Sequence, residues 1–284
     1  MVNQVIDKIG RRLFRPLLCK LWMMFSRQLM DAPSTQPIDV IIPVTLKDLR
    51  ILPLCLEGLK LNCNNKIKDI FLVAKKDNEI INFVKEHHLI FVDENEVLPI
   101  TKKDINYICK DGRDRSGWLF QQLLKLAGNI GTCENFITID SDHILLKPHT
   151  FLTVDNKFVF YRSCEFHLNY YITRMKLFDT LKIPLLSFIS HKMIFNKSEL
   201  SVMKNELESR MQKKWYNAII DSIDVDDPSC FSEFETYALS VNNCQYRSLY
   251  WNQKELKRED IRNFEFLSKK YNSFLSITFP AYLN

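Results

Sequence analysis

The sequence predicts an α/β fold with a mostly parallel central sheet. Two observations carry this. Short β-branched runs alternate with helical apolar patterns from Ile38 to Ile139. At 284 residues and 46% hydrophobic, the chain can bury a full core without disulfide or metal staples. Strands alternating with helices give parallel sheets covered on both faces.

The elements follow in order. Ile38–Val44 is a short apolar run of strand length. Leu49 to Leu61 carries a helical pattern, Ile70–Ala74 reads as a second strand, Glu79–His87 as a short helix and Leu89–Val92 as a third strand. Gly117–Ala127 is predicted helical, Phe136–Ile139 a fourth strand and Phe158–Tyr161 a further one. Residues 165 to 230 read as more helical, the natural acceptor-side region of a site at the carboxyl ends of the strands.

Residues 1–36 read as a separate basic segment and linker ahead of a domain spanning 37–284. The segment 1–30 holds Lys8, Arg11, Arg12, Arg15, Lys20 and Arg27 against Asp7 alone, which accounts for the whole net charge of +5. A neutral body with a basic head excludes the charge distribution of a nucleic-acid-binding protein. Leu13, Phe14, Leu17, Leu18, Leu21, Trp22, Phe25 and Leu29 fall on one helical face. Such a helix can lie in a membrane interface with its cations on anionic head groups, but it is too short to span a bilayer. No small-residue cleavage site follows it. Asp31–Pro37 has the composition of a linker. The eight cysteines form no C-x-x-C pair and read as reduced thiols, so the chain is expected to be cytoplasmic and peripheral on the inner membrane face.

The chemistry concentrates in three motifs. Asp140-Ser141-Asp142 directly follows the predicted fourth strand. Two carboxylates two residues apart suit Mn²⁺ or Mg²⁺, and such a cation neutralises a departing diphosphate. The alternative is a polar strand end forming an Asx-turn. On the helix 117–127, Trp118, Gln121, Gln122 and Lys125 share a polar face preceded by Arg115. Two amides, an aromatic plate and two cations suit sugar hydroxyls or phosphate oxygens; a solvated face is the plainer reading. Ser232-x-x-Glu235 fits a capping box, which explains Glu235 but leaves Glu233 as a candidate general base. His191 is either a structural histidine or a metal or phosphate contact, and His143 is at least next to the motif.

Arg115-x-x-Trp118-x-x-Gln121-Gln122-x-x-Lys125, the Asp140-Ser-Asp142 strand end, His191 before an apolar pair and Ser232-Glu-Phe-Glu-Thr-Tyr237 together resemble the DUF6492-type glycosyltransferase-like proteins. The resemblance runs from about Val40 to Tyr237. Ala238 departs from it, standing where the family pattern has Gly. It implies a GT-A nucleotide-sugar-binding fold, a nucleoside diphosphate donor such as a UDP-sugar, and a divalent metal at Asp140 and Asp142. It further implies a bacterial surface glycan or glycolipid acceptor, such as lipopolysaccharide or capsule. On this reading Val44, Lys47 and Asp48 border the nucleotide. Arg115, Trp118, Gln121, Gln122, Lys125, His191 and Glu235 contact donor or phosphate, and Glu233 with Asp142 carries the chemistry.

Two rivals remain at this level. A phosphohydrolase using Asp140 as nucleophile usually has a hydroxyl residue shortly after the second Asp, where this chain has Ile144 and Leu145, and carries its nucleophile on the first strand. A non-catalytic, membrane-tethered glycan-binding protein would lack metal-dependent turnover of a donor.

Overall fold

The computed structural model describes residues 32–241, 246–250 and 253–280, with Phe14, Arg15, Leu17, Leu18 and Leu21 near the N-terminus. The elements are β1 (Ile38–Pro43), α1 (Leu52–Asn62), β2 (Ile67–Ala74), α2 (Asn78–Glu86), β3 (Ile90–Asp93), α3 (Glu94–Val97), α4 (Ser116–Leu126) and β4 (Asn135–Ile139). They continue with β5 (His143–Leu145), β6 (Phe158–Arg162), α5 (Leu168–Phe178), β7 (Lys192–Asn196), α6 (Lys197–Met211) and α7 (Trp215–Ser222). The last are α8 (Glu233–Ala238), β8 (Tyr246–Tyr250), β9 (Gln253–Glu255), α9 (Phe264–Lys270) and β10 (Ser276–Thr278).

The central sheet has the order β3-β2-β1-β4-β7. β1 pairs in parallel with β2 and β4, and β2 in parallel with β3. β7 runs antiparallel to β4. The sheet is therefore mostly parallel, as the alternation of elements predicts. β1 and β4 are buried along their whole length, which is why they read as continuous apolar runs rather than alternating ones. Asp39, the one charged residue in β1, is buried because its carboxylate accepts from the backbone N–H groups of Thr132 and Cys133 at 2.8 and 2.9 Å.

The second half is less purely helical than its sequence suggests. It holds α5, α6 and α7, but also β7, which completes the central sheet. The sequence pattern misses β7, and also β5 and β10, because runs of three to five residues carry too little periodicity. β5, β10 and β9 form a second small sheet, and β6 pairs in parallel with β8. Gly58 of α1 lies against the backbone of β5. A Cβ there would stand 2.9 Å from both Leu145 N and Leu145 O, so only glycine lets the helix pack this closely behind the Asp140–Asp142 turn.

Residues 32–34 do not behave as a free linker. Ser34 N–H donates to Leu152 O, Val154 N–H donates to Ala32 O, and Pro33 bridges Thr153. Most of the basic apolar stripe, including Leu13, Trp22, Phe25 and Leu29 and the cations other than Arg15, lies outside the described residues. Among the described residues no helix is long and apolar enough to cross a membrane. Cys55, Cys63, Cys109, Cys133 and Cys230 are free thiols.

Candidate active site

The site forms where β4 ends. Asp140 N–H donates to His191 O at 2.9 Å, extending the β4–β7 pairing by one residue. His143 N–H then donates to Asp140 O at 3.0 Å, and Phe279 N–H to Asp142 O at 3.0 Å. The chain thus makes a tight turn between β4 and β5 that presents both aspartates at the carboxyl ends of the parallel strands. His191, just before β7, is held at φ 56°, a left-handed conformation that a residue with a side chain seldom adopts and that clusters at functional sites.

Lys125 links the cluster. Its buried ammonium donates to Asp140 Oδ1 at 2.6 Å and to Glu233 Oε1 at 2.7 Å, and lies 4.8 Å from the centre of the Phe234 ring. Gln122, one turn earlier on α4, accepts from Glu233 N–H at 3.2 Å. On its other side Asp140 Oδ2 meets His191 Nδ1 at 2.9 Å. Burial would push Asp140 up, but Lys125 and His191 outweigh it and hold the carboxyl well below the usual range. Burial opposes charge on His191 as well, yet Asp140, with Glu165 and Asp142 behind it, raises the imidazole to about 9. Lys125 is raised likewise, its two carboxylates exceeding the cost of burial.

Asp142 is the opposite case. Burial raises its carboxyl to about 7, and the charges of Asp140 and Asp48 add to the rise against the opposing field of His191. The hydrogen bond found for its side chain is a long 3.4 Å contact from Thr278 Oγ1. His191 Nε2 is buried with no hydrogen-bond partner. The cluster therefore has one under-neutralised carboxylate and one unused imidazole nitrogen in each other's field. Carboxylate oxygen and imidazole nitrogen together suit Mn²⁺ better than Mg²⁺. A metal on Nε2 would take the place of the proton that the raised imidazole otherwise carries there, with Nδ1–H kept on Asp140. Among the described residues no group of three or more His, Cys, Asp or Glu could hold a metal by itself. Asp142 and His191 would supply part of a coordination shell, with phosphate oxygens and water completing it.

The other residues singled out in the sequence divide between this cluster and the scaffold. Val44 is buried at the end of β1, and its N–H donates to Val73 O. Asp48 closes the next turn, accepting from Thr45 N–H and Oγ1 at 3.0 and 2.6 Å, while Lys47 is exposed. Gln121 is half-buried. Arg115 and Trp118 lie at the far end of α4 and serve the scaffold: the guanidinium donates to Pro228 O at 2.7 Å and stacks over the indole at 4.1 Å. Trp118 in turn packs on Tyr107, whose hydroxyl bonds to Asp227 O. This clamp fixes the segment that leads into α8.

Several of these positions have surroundings that the sequence did not indicate. The polar face of α4 is not solvated towards its C-terminal end, since Gln122 and Lys125 are buried. Glu233, expected as a general base, is a buried partner of Lys125. Glu235, expected among donor contacts, faces the scaffold: Oε1 accepts from Ser187 Oγ, Phe188 N–H and Tyr171 O–H at 2.7, 2.9 and 2.9 Å. Ser232 Oγ does cap α8 through Glu235 N–H, as the motif predicts. His143 is fully buried, with Nε2 3.1 Å from Lys192 Nζ, and it stacks behind His191 at 5.7 Å between ring centres.

Sequence reasoning missed Glu165, in the loop between β6 and α5. Its side chain is 28% exposed, with Oε2 3.9 Å from His191 Nε2 and Oε1 3.4 Å from His167 Nε2. It is a carboxylate at the open side of the cluster, where Glu233 is enclosed. No sequence motif surrounds it, so only the fold could place it. A groove of about 710 Å³ lined by Leu56, Lys60, Cys63 and His87 lies between α1 and β2 and includes none of these residues.

Residues 35–266 match the model of a family of unknown function, DUF6492, and the chain belongs to that family. No curated protein matches it in sequence. Among solved structures, the mannosyltransferase Ktr4p from S. cerevisiae superposes with a TM-score of 0.51 at 10% identity, covering 84% of this chain and 78% of that one. The apo form of mouse xyloside xylosyltransferase 1 gives 0.49 at 12% identity, covering 87% and 99%. The galactosyltransferase LgtC, in complex with donor and acceptor sugar analogues, gives 0.42 at 9% identity, covering 85% and 87%. At these identities the likeness concerns the fold alone, and it is the mannosyltransferase Ktr4p, above a TM-score of 0.5, that shares the mixed α/β architecture with a mostly parallel central sheet.

Proposed function

We propose that the chain is a metal-dependent glycosyltransferase that takes a nucleoside diphosphate sugar as donor. The observation that carries this is the pairing at the sheet's ligand-binding end of a neutralised carboxylate, Asp140, with an under-neutralised one, Asp142, beside the unused Nε2 of His191. A divalent cation there would supply charge stabilisation for the departing diphosphate. Asp142 and His191 would bind it. Asp140 and Lys125 hold His191 and the β4 end in register. Gln122 and Glu233 fix Lys125. Glu165, half-buried beside His191, would face the incoming acceptor hydroxyl and take its proton if configuration is inverted.

The phosphohydrolase reading loses ground on the same geometry. A nucleophilic Asp140 needs a free oxygen, and both of its oxygens are held, by Lys125 and by His191. The donor is best drawn as a UDP-sugar and the acceptor as a bacterial surface glycan or glycolipid, in keeping with the family resemblance.

The test is a screen of nucleotide sugars by thermal shift with and without Mn²⁺, followed by turnover of the stabilising donor. Glu165→Gln should lower kcat by about 10²–10⁴-fold while leaving donor affinity near normal, and Glu233→Gln should lower the melting temperature first. No Mn²⁺-dependent shift with any nucleotide sugar, or full kcat in Glu165→Gln, counts against these assignments in turn.

A further inference from the structure

Among the described residues near the N-terminus, the charged one faces the body, while Phe14, Leu17 and Leu21 face out and Leu18 is half-buried. Arg15, Leu17, Leu18 and Leu21 are helical, and in a helix packed on a soluble domain the apolar stripe faces inward. Here the charged residue does so. Arg15 is 5% exposed, while Phe14, Leu17 and Leu21 are 54%, 58% and 45% exposed. The Arg15 guanidinium donates to Leu185 O at 2.9 Å and Pro184 O at 3.0 Å and lies 3.7 Å from the centre of the Phe166 ring. Its charge also offsets the cost of burying Glu235.

The loop that Arg15 grips is itself apolar and outward-facing. Leu181, Ile183 and Leu185 are 54%, 45% and 63% exposed, with Lys182 between the first two and Leu185 in a bend. Single exposed apolar side chains are ordinary; six of them gathered on two elements joined by one buried guanidinium mark an interaction surface. Exposed Lys176 lies nearby in the chain, and the N-terminal segment supplies the whole +5 of the chain's net charge.

We infer that this face, the helix side of Phe14, Leu17 and Leu21 with the loop of Leu181, Ile183 and Leu185, docks on an anionic lipid bilayer. Apolar side chains enter the acyl boundary while flanking cations meet the head groups. A second copy of the chain fits the face poorly, because pairing two such helices would bring two segments of the same strong positive charge together.

The face adjoins the catalytic segments. Leu185 is two residues from Ser187, which pairs in both directions with Ser163 and bonds Glu235; His191 follows four residues later. Phe166, under Arg15, is next to Glu165. A bilayer on this face would bring a lipid-linked acceptor to the open side of the cluster, a consequence that rests on the glycosyl-transfer reading, whereas the docking itself does not.

The experiment is co-sedimentation of the full chain, without nucleotide, with vesicles of phosphatidylcholine and phosphatidylglycerol in equal parts, and with phosphatidylcholine alone. The chain should partition onto the anionic vesicles more than onto the neutral ones. One variant combines Leu181→Ser, Ile183→Ser and Leu185→Ser; another combines Leu17→Ser and Leu21→Ser. Each should bind the anionic vesicles about tenfold more weakly at an unchanged melting temperature, because the altered side chains are exposed. Wild-type-like binding by both variants, or no binding by the wild type, overturns the inference. So does a wild-type dimer in light scattering that both variants dissociate, which would make a second copy the occupant. No donor or acceptor is present, so failure here leaves the transferase reading intact, and a failed transferase assay leaves the docking intact.

Discussion

Asp140 and Asp142 stand two residues apart on one turn and occupy opposite electrostatic surroundings. Asp140 has a protein cation on each oxygen, Lys125 at 2.6 Å and His191 at 2.9 Å, and its carboxyl is held low. Asp142 has one long contact to Thr278 and is raised to about 7. The difference teaches that a D-x-D sequence is not a symmetrical pair of ligands. One carboxylate is finished by the fold and builds the site; the other is left for something the site binds.

The largest test of that contrast is Lys125→Met. It removes the ammonium shared by Asp140 and Glu233 and leaves the buried Glu233 carboxylate without its cation beside a half-buried Asp140 that keeps only His191. Breaking a buried pair in this way costs about 3–5 kcal/mol. Equilibrium urea unfolding should show a loss of that size, partly recovered in Lys125→Arg. A loss below about 1 kcal/mol would mean that Asp140 is not finished by the fold.

Asp142→Asn probes the other side. Stability should not fall, because the substitution removes a carboxylate whose ionisation is disfavoured in the fold, while Mn²⁺-dependent donor turnover falls roughly a hundredfold or more. Steady-state assays with donor in excess would show it, and unchanged turnover would restore Asp140 as the working carboxylate.

The two aspartates should also titrate with opposite sign. Asp142 is raised in the folded protein from 3.8 to about 7, so between those values the folded state binds more protons than the unfolded one. The Asp142 contribution to metal-free stability therefore falls as pH rises through that window, by at least about 1 kcal/mol, while that of His191, raised to about 9, is lost higher, between 6.5 and 9. Asp140 is depressed, so its contribution is present above 3.8 and lost as pH falls below it. Melts across this range, compared between wild type and Asp142→Asn, isolate the first slope; a variant that retains the decline would reassign it.

The smallest effect is expected at Glu235→Gln. Its Oε1 accepts three donors while Oε2 is buried without a partner, and burial raises its pKa. Gln keeps the accepting oxygen and removes the buried charge, so melting should move by less than about 1 kcal/mol equivalent and turnover should persist. A large loss of turnover would place Glu235 among the donor contacts after all.

By itself the sequence determined the alternation of strands and helices, the Asp140–Asp142 turn after a buried strand, and the Ser232 cap. These are local: they depend on periodicity, β-branching and hydrogen-bonding reach within a few residues. It also grouped Gln122 with Lys125, since helical spacing puts them on one face. Only the tertiary structure decided what those groups do. Lys125 and Glu233 are 108 residues apart, and Asp140 and His191 51 apart. Each pair meets because β7 returns antiparallel beside β4 and α8 packs against α4, contacts that no local pattern encodes. The same distance dependence hid Glu165 and separated Arg115 and Trp118 from the face they share in projection. It also turned Arg15 inward. A helical pattern specifies which side chains share a face, but which face is buried depends on what lies opposite, and here that is a pair of backbone carbonyls and an aromatic ring.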